Sequence, residues 1–187
     1  MNKFHFPPLL QNSLIRLRLL IASDFEPLFA IASDPLIWEQ HPDRERYKRE
    51  VFQKYFDGAL ESGSAYMIYD AVTDELIGCS RFYNYDEADN SIAVGYTFLI
   101  RKCWGGKYNR ACKKLMLDHA FGYVDKVYLH IGPNNIRSQK AALKIGAVPT
   151  GETLASLNGS ADPNLVFCLA RDGWQRNEEP DPPIKSE

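Results

Sequence analysis

Residues 14–20, LIRLRLL, alternate apolar side chains with Arg16 and Arg18, the period of two that a half-buried strand requires. Ser23 or Asp24 then stands as a helix cap before FEPLFAIA, and Val51, Phe52, Tyr55 and Phe56 form an apolar stripe at helical spacing within 46–60. Residues 65–71, 75–85 and 91–100 are three strand-like runs joined by turns rich in Asp, Thr, Asn and Glu; such short connections predict an antiparallel meander. The rhythm breaks at Arg101, where RKCWGGKYNR brings two adjacent glycines, and a helix is predicted over 109–124. In that helix Cys112, Leu115, Met116, His119, Ala120 and Tyr123 share one side, and Arg110, Lys113, Lys114 and Asp118 the other. Residues 126–131 predict a strand that Gly132-Pro133-Asn134 ends, and a capped helix follows from Ile136 to Ile145 before Gly146. The strands flanking helix 109–124 are therefore predicted to be parallel. Residues 148–153 and 165–171 predict a closing hairpin with a long polar connection.

The chain has 187 residues, 22 basic and 24 acidic, with a net charge of -2 and 45% apolar side chains. That composition predicts one globular domain over 1–174, able to form a core without disulfides or metal. Residues 175–187 contain three prolines and few apolar groups, predicting a disordered, acidic tail. Near-neutrality disfavours a general nucleic-acid binder. Cys79, Cys103, Cys112 and Cys168 form no CxxC pair, so neither a zinc knuckle nor a disulfide framework is expected. With no run long enough to span a bilayer and no export signal read at MNKFHFPPLLQNS, the expectation is a cytoplasmic protein without membrane contact, monomeric or homodimeric.

Resolved along the chain, the charge is not uniform. Arg101, Lys102, Lys107, Arg110, Lys113 and Lys114 lie within residues 101–114 with no acidic side chain among them. Glycines that allow close backbone approach, the unpaired N–H groups of a helix start and its dipole together suit a phosphate or pyrophosphate. A tight strand-to-helix turn with solvated lysines is the plainer alternative. The loop is not a Walker P-loop, because Tyr108 follows Gly106-Lys107 where Ser or Thr is needed, and it does not match GxGxxG. A phosphate-bearing ligand other than ATP or NAD is the better match.

Three segments in this order, VGYTFLIRKCWGGKYN (94–109), LMLDHAF (115–121) and PNNIRSQKAALKIGA (133–147), resemble the GCN5-related N-acetyltransferase (GNAT) family, especially its branch similar to ribosomal-protein N-terminal acetyltransferases. The resemblance covers roughly 13–171. It implies an α/β (α+β) acyl-CoA N-acyltransferase fold: a mixed, mostly antiparallel sheet of six to seven strands, flanking helices, and a cleft where the strands ending near Ile100 and Ile131 splay apart. Acetyl-CoA is the implied cofactor, with no metal. By this likeness the backbone at Phe98, Leu99 and Ile100 pairs with the pantetheine, the amides of Trp104, Gly105, Gly106, Lys107, Tyr108 and Asn109 hold the pyrophosphate, and Arg101 also binds the cofactor. Asn135 and Ser138 match the N-x-x-S element that faces the thiol. Asn135, Ser138 and a backbone N–H near Leu99 would be the catalytic contacts, the last stabilising an oxyanion. Asn135 and Ser138 are also simple helix-start residues, and the two readings can hold at once; the glycine loop upstream and the matching spacing weigh against capping alone.

The pattern is also broken. Where family members often carry a glutamate before G-Y, this chain has Ala93, and Lys107, Asn109 and Ala111 depart from W-G-x-G-x-A-x-E-A. Trp38, Tyr83, Tyr85 and Asp86 are candidate acceptor contacts, with Trp38 alternatively a core anchor and 83–90 alternatively a solvated turn. Tyr96, three positions from Ala93, is expected on the opposite sheet face. His119 and Cys112, seven apart on the apolar helix face, are better read as core residues than as a nucleophilic pair, and His130 is the better exposed histidine. The leading expectation is direct transfer of acetyl from acetyl-CoA to a primary amine of a small molecule or peptide. The rivals are a CoA-binding regulatory module of the same fold with little activity and, far behind, a cysteine hydrolase.

Overall fold

The computed structural model describes residues 4–153 and 163–176. Eight strands form one sheet: β1 Leu9–Gln11, β2 Ile15–Leu19, β3 Ala65–Asp70, β4 Leu76–Asp86, β5 Ser91–Leu99, β6 Lys126–Ile131, β7 Val148–Thr153 and β8 Asn164–Ala170. The helices are α1 Phe25–Ala32, α2 Arg49–Glu61, α3 Lys107–Phe121, α4 Ile136–Lys144 and α5 Arg171–Arg176. The strand order is β1-β2-β3-β4-β5-β6-β8-β7. Every adjacent pair is antiparallel except β5 and β6. The parallel pair flanks α3, as the crossover through a helix requires.

The sheet has eight strands where six to seven were expected. The additional edge strand, β1, is three residues long and follows Pro7-Pro8, leaving no alternation to read; its register with Arg16, Leu17 and Arg18 holds it. The closing hairpin forms, with β8 rather than β7 beside β6. Its connecting residues 154–162 and the tail from 177 onward lie outside the described residues.

The two sheet faces bury different sets of side chains. One packs Ile15, Leu17, Phe82, Ile92 and Val94 with Met116, Leu117 and Ala120 of α3. Phe4 closes this layer between Phe82 and Tyr123. The other packs Met67, Cys79 and Phe98 with Leu28 of α1 and Phe52 and Phe56 of α2. Each such aliphatic or aromatic side chain contributes about 1.5–3 kcal/mol on burial. Alternation along β4 and β5 thus sends Phe82 and Val94 toward α3, and Tyr83 and Ala93, opposite each other in register, to the reverse face.

Cys112 is a core residue of α3, and His119 is half-buried beside it on the same helix face. Cys112 is fully buried, which pushes its thiol pKa up, away from the reactive thiolate. His119 Nε2 lies 2.7 Å from the His5 carbonyl, and burial pushes its pKa down. Lys113 departs from the expected polar side. It is 8% exposed, and its Nζ donates to Thr97 Oγ1 at 2.7 Å beneath β5, because α3 lies where β5 and β6 part and both of its flanks meet protein.

Candidate active site

The site begins where the sheet divides. β5 and β6 pair only through Ser91–Lys126, Ile92–Val127 and Ala93–Tyr128, after which they separate. Beyond that point β5 carries a bulge. Between the Cys79–Phe98 and Arg81–Gly95 pairs, β4 advances by two positions and β5 by three. Tyr96 takes the extra turn with φ 52°. This left-handed residue resets the alternation, so Tyr96 is not on the face opposite Ala93; its ring meets Tyr83 edge-on, 5.0 Å between centroids. The bulge is held from both sides. Tyr55 Oη donates to the Tyr96 carbonyl at 2.7 Å, and Thr97 Oγ1 lies 2.7 Å from Ser80 Oγ.

The next peptide is aimed by close strand contact. A Cβ on Gly78 would lie 2.2 Å from the Phe98 carbonyl oxygen, which therefore points at β4. In a planar trans peptide the N–H of Leu99 points the opposite way, into the gap. Trp104 Nε1 donates to the Leu99 carbonyl at 2.8 Å, folding the loop back under the strand end. Gly105 has φ 68°, a conformation that favours glycine, and Gly106 caps α3 with no side-chain hydrogen bond to the first turn. A Cβ at Gly105 would meet nothing within 4 Å, and at Gly106 only the Trp104 carbonyl at 3.9 Å. The protein leaves this cradle open.

The opposite wall is α4. Asn135 caps it, with Oδ1 accepting from the Ser138 N–H at 3.1 Å, so the cap itself sets the two side by side. Arg137 then ties three segments together. Its guanidinium stacks on Trp104, 3.7 Å from the ring centroid; Nη2 donates to the Ile37 carbonyl at 3.2 Å; and its N–H donates to Gln40 Oε1 at 3.1 Å. The 35–42 segment continues over the end of β6, where a Cβ on Gly132 would lie 2.6 Å from Pro42 Cγ.

Between these walls is a cavity of about 810 Å³. Arg110, Lys113, Arg137, Lys140 and Lys144 line it with no Asp or Glu among the described lining residues. A second cavity, about 590 Å³, opens beside Ala93 and is lined by Asp86, Glu87 and Asp89, with no Lys or Arg among the described lining residues; Asp89 is paired with Lys126 just outside it. His130 lines both.

Of the residues singled out in the sequence, Trp38, Tyr83, Phe98, Leu99, Trp104, Gly105, Gly106, Asn109, Asn135 and Ser138 line the large cavity. Tyr85 and Asp86 line the small one. Ile100, Arg101, Lys107 and Tyr108 line neither. Ile100 donates to the Ile77 carbonyl, Arg101 pairs with Asp34, and Tyr108 Oη donates to Asp70 at 2.6 Å, helping hold that carboxyl at about 2. Lys102 is likewise paired, with Glu75. The basic character of the cavity therefore comes less from the glycine loop than from α4, where Arg137, Lys140 and Lys144 recur at positions i, i+3 and i+7 of one helical face. That spacing was available in the sequence.

His41, on the cavity wall, contacts Arg46 at 3.2 Å, and burial with the neighbouring guanidinium pushes its pKa down to about 3 from an ordinary 6.5. A depressed folded-state value means that the unfolded chain protonates first. Stability is then complete above pH 6.5 and declines as pH falls toward 3, by up to about 1.4 kcal/mol per pH unit. Urea titrations at pH 7 and pH 4.5 are expected to show this loss, and His41→Gln to reduce it. An equal loss in the variant would assign acid sensitivity elsewhere.

A family model described as an acetyltransferase (GNAT) domain matches residues 15–148. No curated protein matches the sequence. Among solved structures, a presumptive acetyltransferase is 24% identical with a TM-score of 0.78, over 93% of this chain and 92% of that one. A GCN5-related N-acetyltransferase from Brucella melitensis is 16% identical with a TM-score of 0.77, over 89% and 80%. A spermidine N-acetyltransferase from Vibrio cholerae, in complex with CoA and spermine, is 16% identical with a TM-score of 0.67, over 88% and 99%. At these identities the structural likeness is one of fold.

Proposed function

We propose that this chain, which belongs to the GNAT acetyltransferase family, moves the acetyl group of acetyl-CoA to a primary amine by direct attack. The observation that supports this most is the division of charge: among the described residues the large cavity is lined by five cations and no carboxylate, the small one by Asp86, Glu87 and an Asp89 that pairs with Lys126, and the two meet at His130. An anionic donor and a cationic acceptor would approach one point from opposite sides.

The large cavity suits coenzyme A in volume, in sign and in the open glycine cradle. When bound, acetyl-CoA supplies a thioester carbonyl open to a nucleophile. In this reading Gly105, Gly106 and the uncapped first turn of α3 receive the pyrophosphate, with Arg110 and the basic face of α4 as counter-charges. Leu99 N–H, turned into the gap, stabilises negative charge developing on an acyl oxygen. Ser138, fixed by the Asn135 cap, orients the thiol end; its hydroxyl is too weakly acidic to be a strong proton donor. Asp86 and Glu87 attract the ammonium form of the acceptor, a small molecule or an exposed peptide amine.

The test is an acetyl-CoA titration followed by CoA release with spermidine, a peptide with a free N-terminus, and a lysine peptide with a blocked N-terminus. Binding with turnover on at least one amine is expected. Tight binding with no turnover on any would favour a CoA-binding module instead, and no binding would overturn the assignment of the cavity. Arg110→Glu is expected to weaken binding most at low salt, where its field is least screened.

A further inference from the structure

The fork between β5 and β6 holds a hydrogen-bonded pair whose position implies a task. Tyr83 stands opposite Ala93 on β4, yet its hydroxyl reaches across β5 to His130 on β6, 2.8 Å from Nδ1. It can do so because Gly95 has no side chain. A Cβ there would lie 3.0 Å from both Cε1 and Oη of Tyr83, so the ring rests directly over the glycine. In parallel register from the last pair, Ala93–Tyr128, Gly95 and His130 are the next residues on the same face, the first on that face beyond the paired stretch. The pair therefore bridges the mouth of the fork, with Tyr83 on the large cavity and His130 on both.

Resting on the transferase reading above, we propose that the Tyr83–His130 pair accepts the proton that the amine sheds on attack, in place of the carboxylate missing at Ala93. A neutral imidazole and a phenol share one hydrogen between Nδ1 and Oη. With that hydrogen on Nδ1, the open lone pair is Nε2, which takes the proton directly. With it on Oη, the phenol oxygen takes the proton while handing its own to Nδ1. Both routes end in the same imidazolium bonded to a neutral phenol. As the nitrogen–carbon bond forms and the carbon–sulfur bond breaks, sulfur departs with the bonding electrons, and the imidazolium returns its proton to the thiolate or to water.

Burial favours the uncharged resting state of both groups. It pushes the His130 pKa down, so the ring is a free base near neutrality, and pushes Tyr83 up, so the phenol keeps its hydrogen. Asp86 and Glu87 of the small cavity would favour the imidazolium once formed, Asp89 there being paired with Lys126.

His130→Gln keeps a polar group of similar reach but cannot accept a proton. With the best amine of the panel, its kcat/KM is expected to fall by about 10²-fold or more, with acetyl-CoA affinity unchanged. Turnover of His130→Ala is expected to recover when imidazole is added to the buffer, which a purely structural histidine would not show. Tyr83→Phe is expected to lose less, since the direct route through Nε2 survives. His130→Gln turnover within threefold of wild type, a parallel loss of cofactor affinity, or no imidazole rescue would overturn the proposal while leaving the transferase reading intact. Absence of wild-type turnover on every amine would overturn both.

Discussion

Trp38→Ala is expected to lower the stability of the folded protein by about 3–5 kcal/mol. Trp38 is only 2% exposed, although it borders the large cavity. Its ring lies 5.1 Å from that of Phe98 and 6.2 Å from that of Tyr55, and the buried Arg46 guanidinium sits 5.6 Å from its centroid. Its Nε1 donates to the Ala32 carbonyl at 2.7 Å, closing the end of α1. Truncation would leave a cavity, a buried carbonyl without its donor and a guanidinium with only the Tyr55 ring, 5.1 Å from its centroid, as aromatic face. Chemical denaturation is the measurement. Leu36→Ala, two residues away and 46% exposed, is the control and is expected to change stability by no more than about 0.5 kcal/mol. A loss under about 1 kcal/mol at Trp38 would show that the second core layer does not depend on it.

Gly106→Val is expected to act in the opposite sense, sparing the fold and weakening the cofactor. The nearest atom to a Cβ at this position is 3.9 Å away, and the backbone φ of -114° is ordinary for a branched residue. Stability should change by no more than about 1 kcal/mol, the cost of a poor helix cap. The added methyls would occupy the cradle where the pyrophosphate is proposed to lie. Acetyl-CoA affinity is expected to fall by about 10- to 100-fold, or roughly 1.4–2.8 kcal/mol. Calorimetric titration beside a melting curve separates the two effects; unchanged affinity would move the phosphate away from this loop. Gly78 makes the contrast plain, since a Cβ there would strike the Phe98 carbonyl at 2.2 Å and damage the strand pairing itself.

Most of the architecture was legible in the sequence because its elements announce themselves locally. The alternation in β2, the apolar stripe of α2 and the Gly132-Pro133 stop after β6 each depend on neighbours within one element. The parallel β5–β6 pair followed from one crossover helix. What escaped depends on where elements meet. Lys113 has a polar side chain on what a helical wheel draws as the solvent side, and only the gap under β5 makes that side interior. Tyr96 breaks a period of two because a single left-handed residue resets it, and nothing in GYTF marks that residue as the bulge. The six cations of 101–114 suggested one concentrated anion site. Arg101, Lys102 and Lys114 instead pair with Asp34, Glu75 and Asp118, and α4 supplies much of the charge. Ion pairing between distant segments is a property of the folded chain alone.

The parting of β5 from β6 also bears on self-association. A strand edge is a row of unpaired donors and acceptors, open to any other extended chain and hence a route to aggregation. Here two such edges lie in the middle of the sheet rather than at its margins, with α4 and the 35–42 segment walling the space between them. Under the proposed function, the slender arm of coenzyme A would be the extended chain that this gap receives. The parted edges of β5 and β6 are thus enclosed within the fold, while β1 and β7 form the outer edges of the sheet.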